Sequence, residues 1–208
     1  MNILLAHGSP DPKHRAQAEA LAARVAVELG DAVRAAFLDD ADIPRSARVL
    51  PLFLGEGRHA IDDAARFAAR FDASLLPPLA SVSAQLADLG VSMAESLATP
   101  REPAIFAYYR FRNFERLVAG VYARRKRLPK MSMAALHGAP DCTDVLRFWT
   151  GQGVKRVAVQ PMLLFAGRSL QQIADAADAA ALPVTMGQPL AAHAEMPGLV
   201  ADCLRGAA

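Results

Sequence analysis

The chain has 208 residues, a hydrophobic fraction of 53% and a formal net charge of +2, which excludes a largely disordered polymer and leaves room for one large domain or two small lobes. Its two cysteines, Cys142 and Cys203, are too few and too far apart for a close-spaced metal pair or a disulfide scaffold, so a reducing compartment fits. No apolar stretch reaches the roughly 18 residues of a membrane span, and the first strand starts without the basic segment of a signal peptide, so a cytoplasmic location is expected.

The chain opens on an apolar strand, residues 2–6, that breaks into His7-Gly8-Ser9. Asp11 and Pro12 are a helix start, an Asp N-cap followed by Pro at the first helical position. The helix covers residues 13–29, with Ala18, Leu21, Ala22, Val25 and Leu29 at spacings of three and four, and Gly30 ends it. Strands are expected at 33–38 and 47–54, the second apolar on both faces as parallel strands are. A polar loop joins them, where another α/β unit would carry a helix. Gly55-Glu56-Gly57 is a flexible turn, and a helix follows over 59–71. Residues 81–86 read as a strand and 88–98 as a short helix. Residues 104–128 read as a longer basic, aromatic helix. Strands at 131–136, 155–164 and 184–188 then alternate with helices at 144–151, 169–180 and 198–204. This alternation implies right-handed βαβ units and parallel sheets.

Charge is unevenly placed. Residues 101–130 hold nine Lys/Arg against Glu102 and Glu115, a net +7, which leaves −5 for the remainder. An anionic partner or one basic face would explain this. The run Arg124–Lys130 is read as a solvated helix end or linker. No nucleic-acid recognition motif accompanies it, so no nucleic-acid partner is expected. The aromatic stripe within 105–122 is read as packing or a dimer contact.

Two phrases recur. His7-Gly8-Ser9-Pro10-Asp11 returns as His137-Gly138-Ala139-Pro140-Asp141, and PLFLGEGRH at 51–59 returns as PMLLFAGRS at 161–169. Such repeats point to an internal duplication. On this reading the first half carries His7 and His59 and the second carries His137 and Ser169, so only the first keeps two imidazoles. The shorter interval between the second pair of loops suggests a helix–strand pair lost from the second half. Loops at the carboxyl ends of strands are where open α/β sheets bind ligands, and His7 and His59 together are read as a two-histidine site. His137 is given a structural role, and His14 and His193 are placed at the surface.

The H-G-S end of the first strand, with Pro51-Leu52-Phe53-Leu54 running through Gly57 to His59, resembles the sirohydrochlorin chelatase family, in its two-repeat form with both histidines in the first half. The resemblance implies a fold of two chelatase-like lobes, each a parallel sheet flanked by helices. The lobes are expected at 1–98, carrying the site, and at 131–208, degenerate, with a basic aromatic helix and linker at 99–130. It implies a lyase that inserts a divalent metal into sirohydrochlorin or a related polycarboxylate tetrapyrrole, with Co²⁺ the first choice, Fe²⁺ the second and Ni²⁺ also chemically suited.

That chemistry removes two pyrrole N–H protons and takes up a partly dehydrated ion. Neutral imidazole binds such ions and titrates near neutral pH, so His7 and His59 are the expected metal ligands and proton acceptors. No nucleotide is expected, since there is neither a Walker motif nor a G-x-G-x-x-G. Ser9, Lys13, Arg15, Phe53, Leu54, Gly57 and Arg58 border the two loops and are the expected substrate contacts, cations for carboxylates and apolar groups for the macrocycle. Glu56 is a candidate second base. A monomer or homodimer, with no membrane partner, is expected. The rival readings are a non-catalytic tetrapyrrole or metal carrier of the same fold, and an α/β enzyme unrelated to tetrapyrroles.

Overall fold

A computed structural model of the chain describes every residue except 10, 58, 100, 207 and 208, and describes 59 and 60 by their backbone alone. Among the described residues, eight strands form two four-stranded parallel sheets. The first holds β1 (Asn2–Ala6), β2 (Val33–Phe37), β3 (Arg48–Pro51) and β4 (Ser74–Leu75) in the order β2-β1-β3-β4. The second holds β5 (Ala104–Tyr108), β6 (Met131–Ala135), β7 (Val157–Met162) and β8 (Val184–Met186) in the order β6-β5-β7-β8. The helices are α1 (Pro12–Leu29), α2 (Ala64–Arg70), α3 (Ser83–Leu97), α4 (Glu115–Ala123), α5 (Cys142–Gly151), α6 (Arg168–Asp178) and α7 (Met196–Arg205). The fold is the duplicated α/β arrangement expected from the sequence. No described helix is long and apolar enough to cross a membrane.

The chain divides into two compact units. Residues 1–83, 111–113 and 194–208 form the first, and residues 84–110 and 114–193 the second. In the first, β1 is buried along its whole length, because a central parallel strand is covered on both faces. Ile3, Leu5, Ala36, Val49, Ala64 and Phe67 make its core. α1 begins as expected: Asp11 accepts from the Lys13 N–H at 2.9 Å, and Gly30 ends the helix at φ 70°. Its buried stripe is Ala18, Leu21, Ala22 and Val25. The carboxy-terminal α7 packs on α1. In the second unit Ile105, Val145, Leu146, Val157, Val159 and Ile173 form the core.

Strand register corrects the first repeated phrase. Asn2 pairs with Arg48 and Val33, as Ala104 pairs with Ala158 and Met131. β5 is therefore the counterpart of β1, and Tyr109, not His137, is the counterpart of His7. His137 follows β6, the counterpart of β2. The phrases match because both loops run from a strand through a turn into an Asp N-cap. Asp141 caps α5 through a capping box with Asp144, as Asp11 caps α1. This local grammar is shared by many strand-to-helix loops, whatever their place in the sheet. The second phrase is in true register, since Pro51 pairs with Leu5 and Pro161 with Ala107.

The second half has lost nothing; it is the first that lacks a helix. Between β2 and β3 the chain makes a loop whose Ile43 enters the core, where the second unit uses Val145 and Leu146 of α5. Two further expectations change. Residues 104–108 are the central strand β5, not the start of a helix; a run apolar on both faces fits a helical stripe equally well. Residues 81–86 are not a strand. A 3₁₀ turn, Leu79–Val82, leads into α3, and Leu79, Val82 and Leu86 are buried at helical spacing, while β4 lies earlier, at Ser74–Leu75.

Candidate functional site

In the first sheet the chain steps from β1 to β2 on one side and then returns past β1 to β3 on the other. Such a reversal opens a crevice at the carboxyl ends of the two strands that flank it, the usual ligand position in an open parallel sheet. β1 and β3 are those strands, in register at Leu5 and Pro51, with Leu52 N–H donating to Leu5 O at 2.8 Å. His7 leaves β1 at this edge. The loop from Leu52 leaves β3 beside it and enters a π-helical turn, His59–Asp63, that continues as α2. Adjacent strands thus deliver both histidine-bearing segments to one edge.

His7 is exposed, and its Nδ1 lies 2.7 Å from the Gly8 carbonyl. A carbonyl only accepts, so in the neutral ring the proton sits on Nδ1 and the lone pair on Nε2. This is the arrangement by which a hydrogen bond on one ring nitrogen prepares the other for a metal. The ring borders a cavity of about 350 Å³ shared with Leu38, Asp63, Arg66, Phe67 and Arg70. Four of these five side chains belong to the helical segment that His59 opens. The Asp39 carboxylate stands over Gly8, where a built Cβ would lie 3.0 Å from Oδ1.

His14, on the first turn of α1, is half-buried, with its ring 6.2 Å from that of Phe37. Burial lowers its pKa from the ordinary value and the neighbouring His7 lowers it further, so the neutral ring is favoured there.

The remaining candidates fall in three places. Ser9, Lys13 and Arg15 flank the β1 exit. Ser9 Oγ accepts from the Asp11 N–H at 3.2 Å, Lys13 is exposed, and Arg15 lies 3.8 Å over the Phe37 ring and pairs with Asp40 at 3.2 Å. Phe53 and Leu54 are half-buried on the β3 exit, with Phe53 packed against the core. Gly57 has open space about it. Arg58 and the His59 side chain lie outside the described residues. Sequence reasoning missed Asp39, Asp63, Arg66 and Arg70. Arg66 and Arg70 carried a readable signal, two cations four apart on the helix behind the second loop.

A larger groove, about 500 Å³, lies in the second unit along 177–186. It sits where β8 begins, at the opposite edge of its sheet from the strand exits. The counterpart edge of the second unit carries Tyr109, whose ring stands edge-on to His137 at 4.7 Å. The Arg110 guanidinium lies against Gly138, with Nη1 3.0 Å from a built Cβ.

The fold is similar to that of solved chelatase structures. A structure of CbiX, the terminal enzyme for biosynthesis of sirohaem in denitrifying bacteria, aligns with 100% of this chain and 99% of its own at TM-score 0.74 and 20% identity. SirB from Bacillus subtilis, determined with Fe³⁺, aligns with 100% of this chain and 94% of its own at TM-score 0.70 and 16% identity. DR2241 from Deinococcus radiodurans, a multi-domain protein with structural similarity to chelatases, aligns over 54% of its length at TM-score 0.62 and 18% identity. These likenesses establish the fold. Residues 111–207 match the CbiX family model. No curated protein matches the chain.

Proposed function

We propose that this protein inserts a divalent metal into a polycarboxylate tetrapyrrole, with His7 and His59 of the first unit as metal ligands and proton acceptors. The observation that carries the proposal is the cavity at the β1/β3 switch point. His7 shares it with Asp63, Arg66, Phe67 and Arg70, residues of the segment that begins at His59. Neutral imidazoles suit both demands of the reaction, since they hold Co²⁺, Fe²⁺ or Ni²⁺ without the tight grip of thiolates and can accept the pyrrole protons. Arg66, Arg70 and Lys13 are cations for the substrate's carboxylates, and Phe53 and Leu54 offer apolar surface to the macrocycle. Arg15 is held by Asp40, so it serves less directly. Co²⁺ is the first choice of metal and Fe²⁺ the second, with sirohydrochlorin the first choice of tetrapyrrole. The protein acts in the cytoplasm as a monomer or homodimer, with the first unit, which holds residues 1–83, carrying the chemistry.

The test is metal insertion followed by the absorption of the metallated macrocycle. His7→Ala and His59→Ala each abolish turnover with the far-ultraviolet circular dichroism unchanged, while His137→Ala keeps most of it. Full activity in either first-unit variant rejects the assignment. A carrier of the same fold would shift the tetrapyrrole spectrum stoichiometrically without turnover. The family match favours weighing it, because that match lies wholly outside 1–98, where the two histidines stand.

A further inference from the structure

The turn between β3 and His59 does not stand alone. Residues Phe111–Asn113 group with the first unit, although the chain on either side of them belongs to the second. Each of the three grips the turn. The Phe111 ring lies against the buried Gly55, where a built Cβ would fall 2.0, 2.3 and 2.7 Å from Cδ2, Cγ and Cε2. No residue but glycine leaves room for that ring. The Arg112 carbonyl accepts from the Glu56 N–H at 3.1 Å. Asn113, in the left-handed region at φ 63°, donates from Nδ2 to the Glu56 carboxylate. One residue further on, the Gly57 carbonyl accepts from the Ile61 N–H at 3.2 Å and so starts the helical segment that carries His59. The contact set is a ring on a backbone, a main-chain hydrogen bond and a side-chain hydrogen bond, made on two consecutive residues.

We infer that Phe111–Asn113 is a strap that fixes where the His59 segment begins, with Gly55, Glu56, Phe111 and Asn113 as positioning residues for the His7/His59 pair. The inference rests on the two-histidine reading for its consequence, though not for its geometry. Glycine hinges at 55 and 57 would otherwise leave the turn many conformations. A ligand pair held loosely loses affinity, and removal of groups that orient metal ligands typically costs about 10–100-fold. Glu56, a candidate base from the sequence, is thereby assigned to holding the turn.

The test uses the full chain and Co²⁺ alone. Asn113→Asp sets two carboxylates face to face. It should speed amide exchange over 59–63 and weaken Co²⁺ binding roughly tenfold, with the thermal midpoint little changed. Asn113→Asp combined with Glu56→Gln restores a donor–acceptor pair with its polarity reversed, since the amide introduced at 56 donates to the carboxylate introduced at 113. It should recover both readouts. Unchanged exchange over 59–63 in Asn113→Asp overturns the strap. Faster exchange with unaltered Co²⁺ affinity, in a protein where His59→Ala loses that affinity, overturns the positioning role. If His59→Ala itself binds Co²⁺ as the parent does, the metal-site reading fails instead, and the exchange measurement still decides whether the strap holds the turn.

Discussion

Arg66 and Arg70 stand one helical turn apart, and both face the cavity of His7. Asp63 neutralises part of Arg66 through an i,i+3 pair, and Arg70 reaches the Ala41 carbonyl at 3.5 Å. Both cations therefore keep donors for a further anion while their stems are held in place. Bound carboxylates would touch them equally before and after the metal enters, which makes this uniform binding: KM rises on its loss and kcat does not fall. Arg66 is well exposed, so its share is at most about 1 kcal/mol, or roughly fivefold. Arg66→Ala is expected to raise KM for the tetrapyrrole by about that factor, Arg70→Ala similarly, and both effects should shrink as salt is added. A fall in kcat with KM unchanged would move the two arginines out of substrate binding and into the chemical step.

At the scale of elements, Glu102 and Arg156 show how strand entry is secured. Glu102 precedes β5 and Arg156 precedes β7, its neighbour in the second sheet, and the two make a double hydrogen bond at 2.8 and 2.9 Å. That bond, with a further one from the Thr99 N–H, lowers the Glu102 pKa from 4.5 to about 2. The folded value lies below the unfolded one, so between them the unfolded chain binds more protons. The contribution is present in full above pH 4.5 and is lost as pH falls toward about 2. Urea unfolding between pH 5 and pH 2 should show Glu102→Gln with a shallower loss of stability across that window than the parent; identical slopes would deny the pair any part in acid stability.

The elements were unevenly legible in the sequence. α1 could be read nearly to the residue, because its Asp-Pro start, its stripe and its Gly stop are local signals. β5 was hidden, since a doubly covered strand has no alternation to betray it. The proposed site was half legible: His7 and His59 stand on recognisable loops, whereas the strap 111–113 and the cavity wall at 63–70 exist only through contacts distant in sequence. The +7 of residues 101–130 looked like a partner surface. Part of it is paired internally, Arg124 with Asp88 and Arg127 with Glu95, both acids on α3. Net charge along a segment says little when the counter-charges lie on another element.

For the whole molecule, duplication makes a direct experiment possible. The two sheets share their order and register. Tyr109 stands in the second where His7 stands in the first, and Ser169 where His59 stands. The second unit thus has the same strand scaffold with no imidazole at these two positions, though His137 stands beside Tyr109. Tyr109 is exposed and Ser169 half-buried in the first turn of α6, so neither substitution cuts into the core. If delivery of both segments by adjacent parallel strands is enough to build the proposed pair, Tyr109→His with Ser169→His should add a further equivalent of Co²⁺ per chain in a titration followed by absorption or calorimetry. That equivalent should survive His7→Ala, which on the proposed assignment removes the native one. Ser169→His alone should add little, because one imidazole without its partner binds such ions weakly, whereas Tyr109→His sets an imidazole beside His137 and is compared in a His137→Ala background. Binding that stays at the parent's stoichiometry and vanishes with His7→Ala would mean that strand register does not suffice, and that first-unit features with no counterpart in the second, such as the loop in place of a helix between β2 and β3, are needed to build the site.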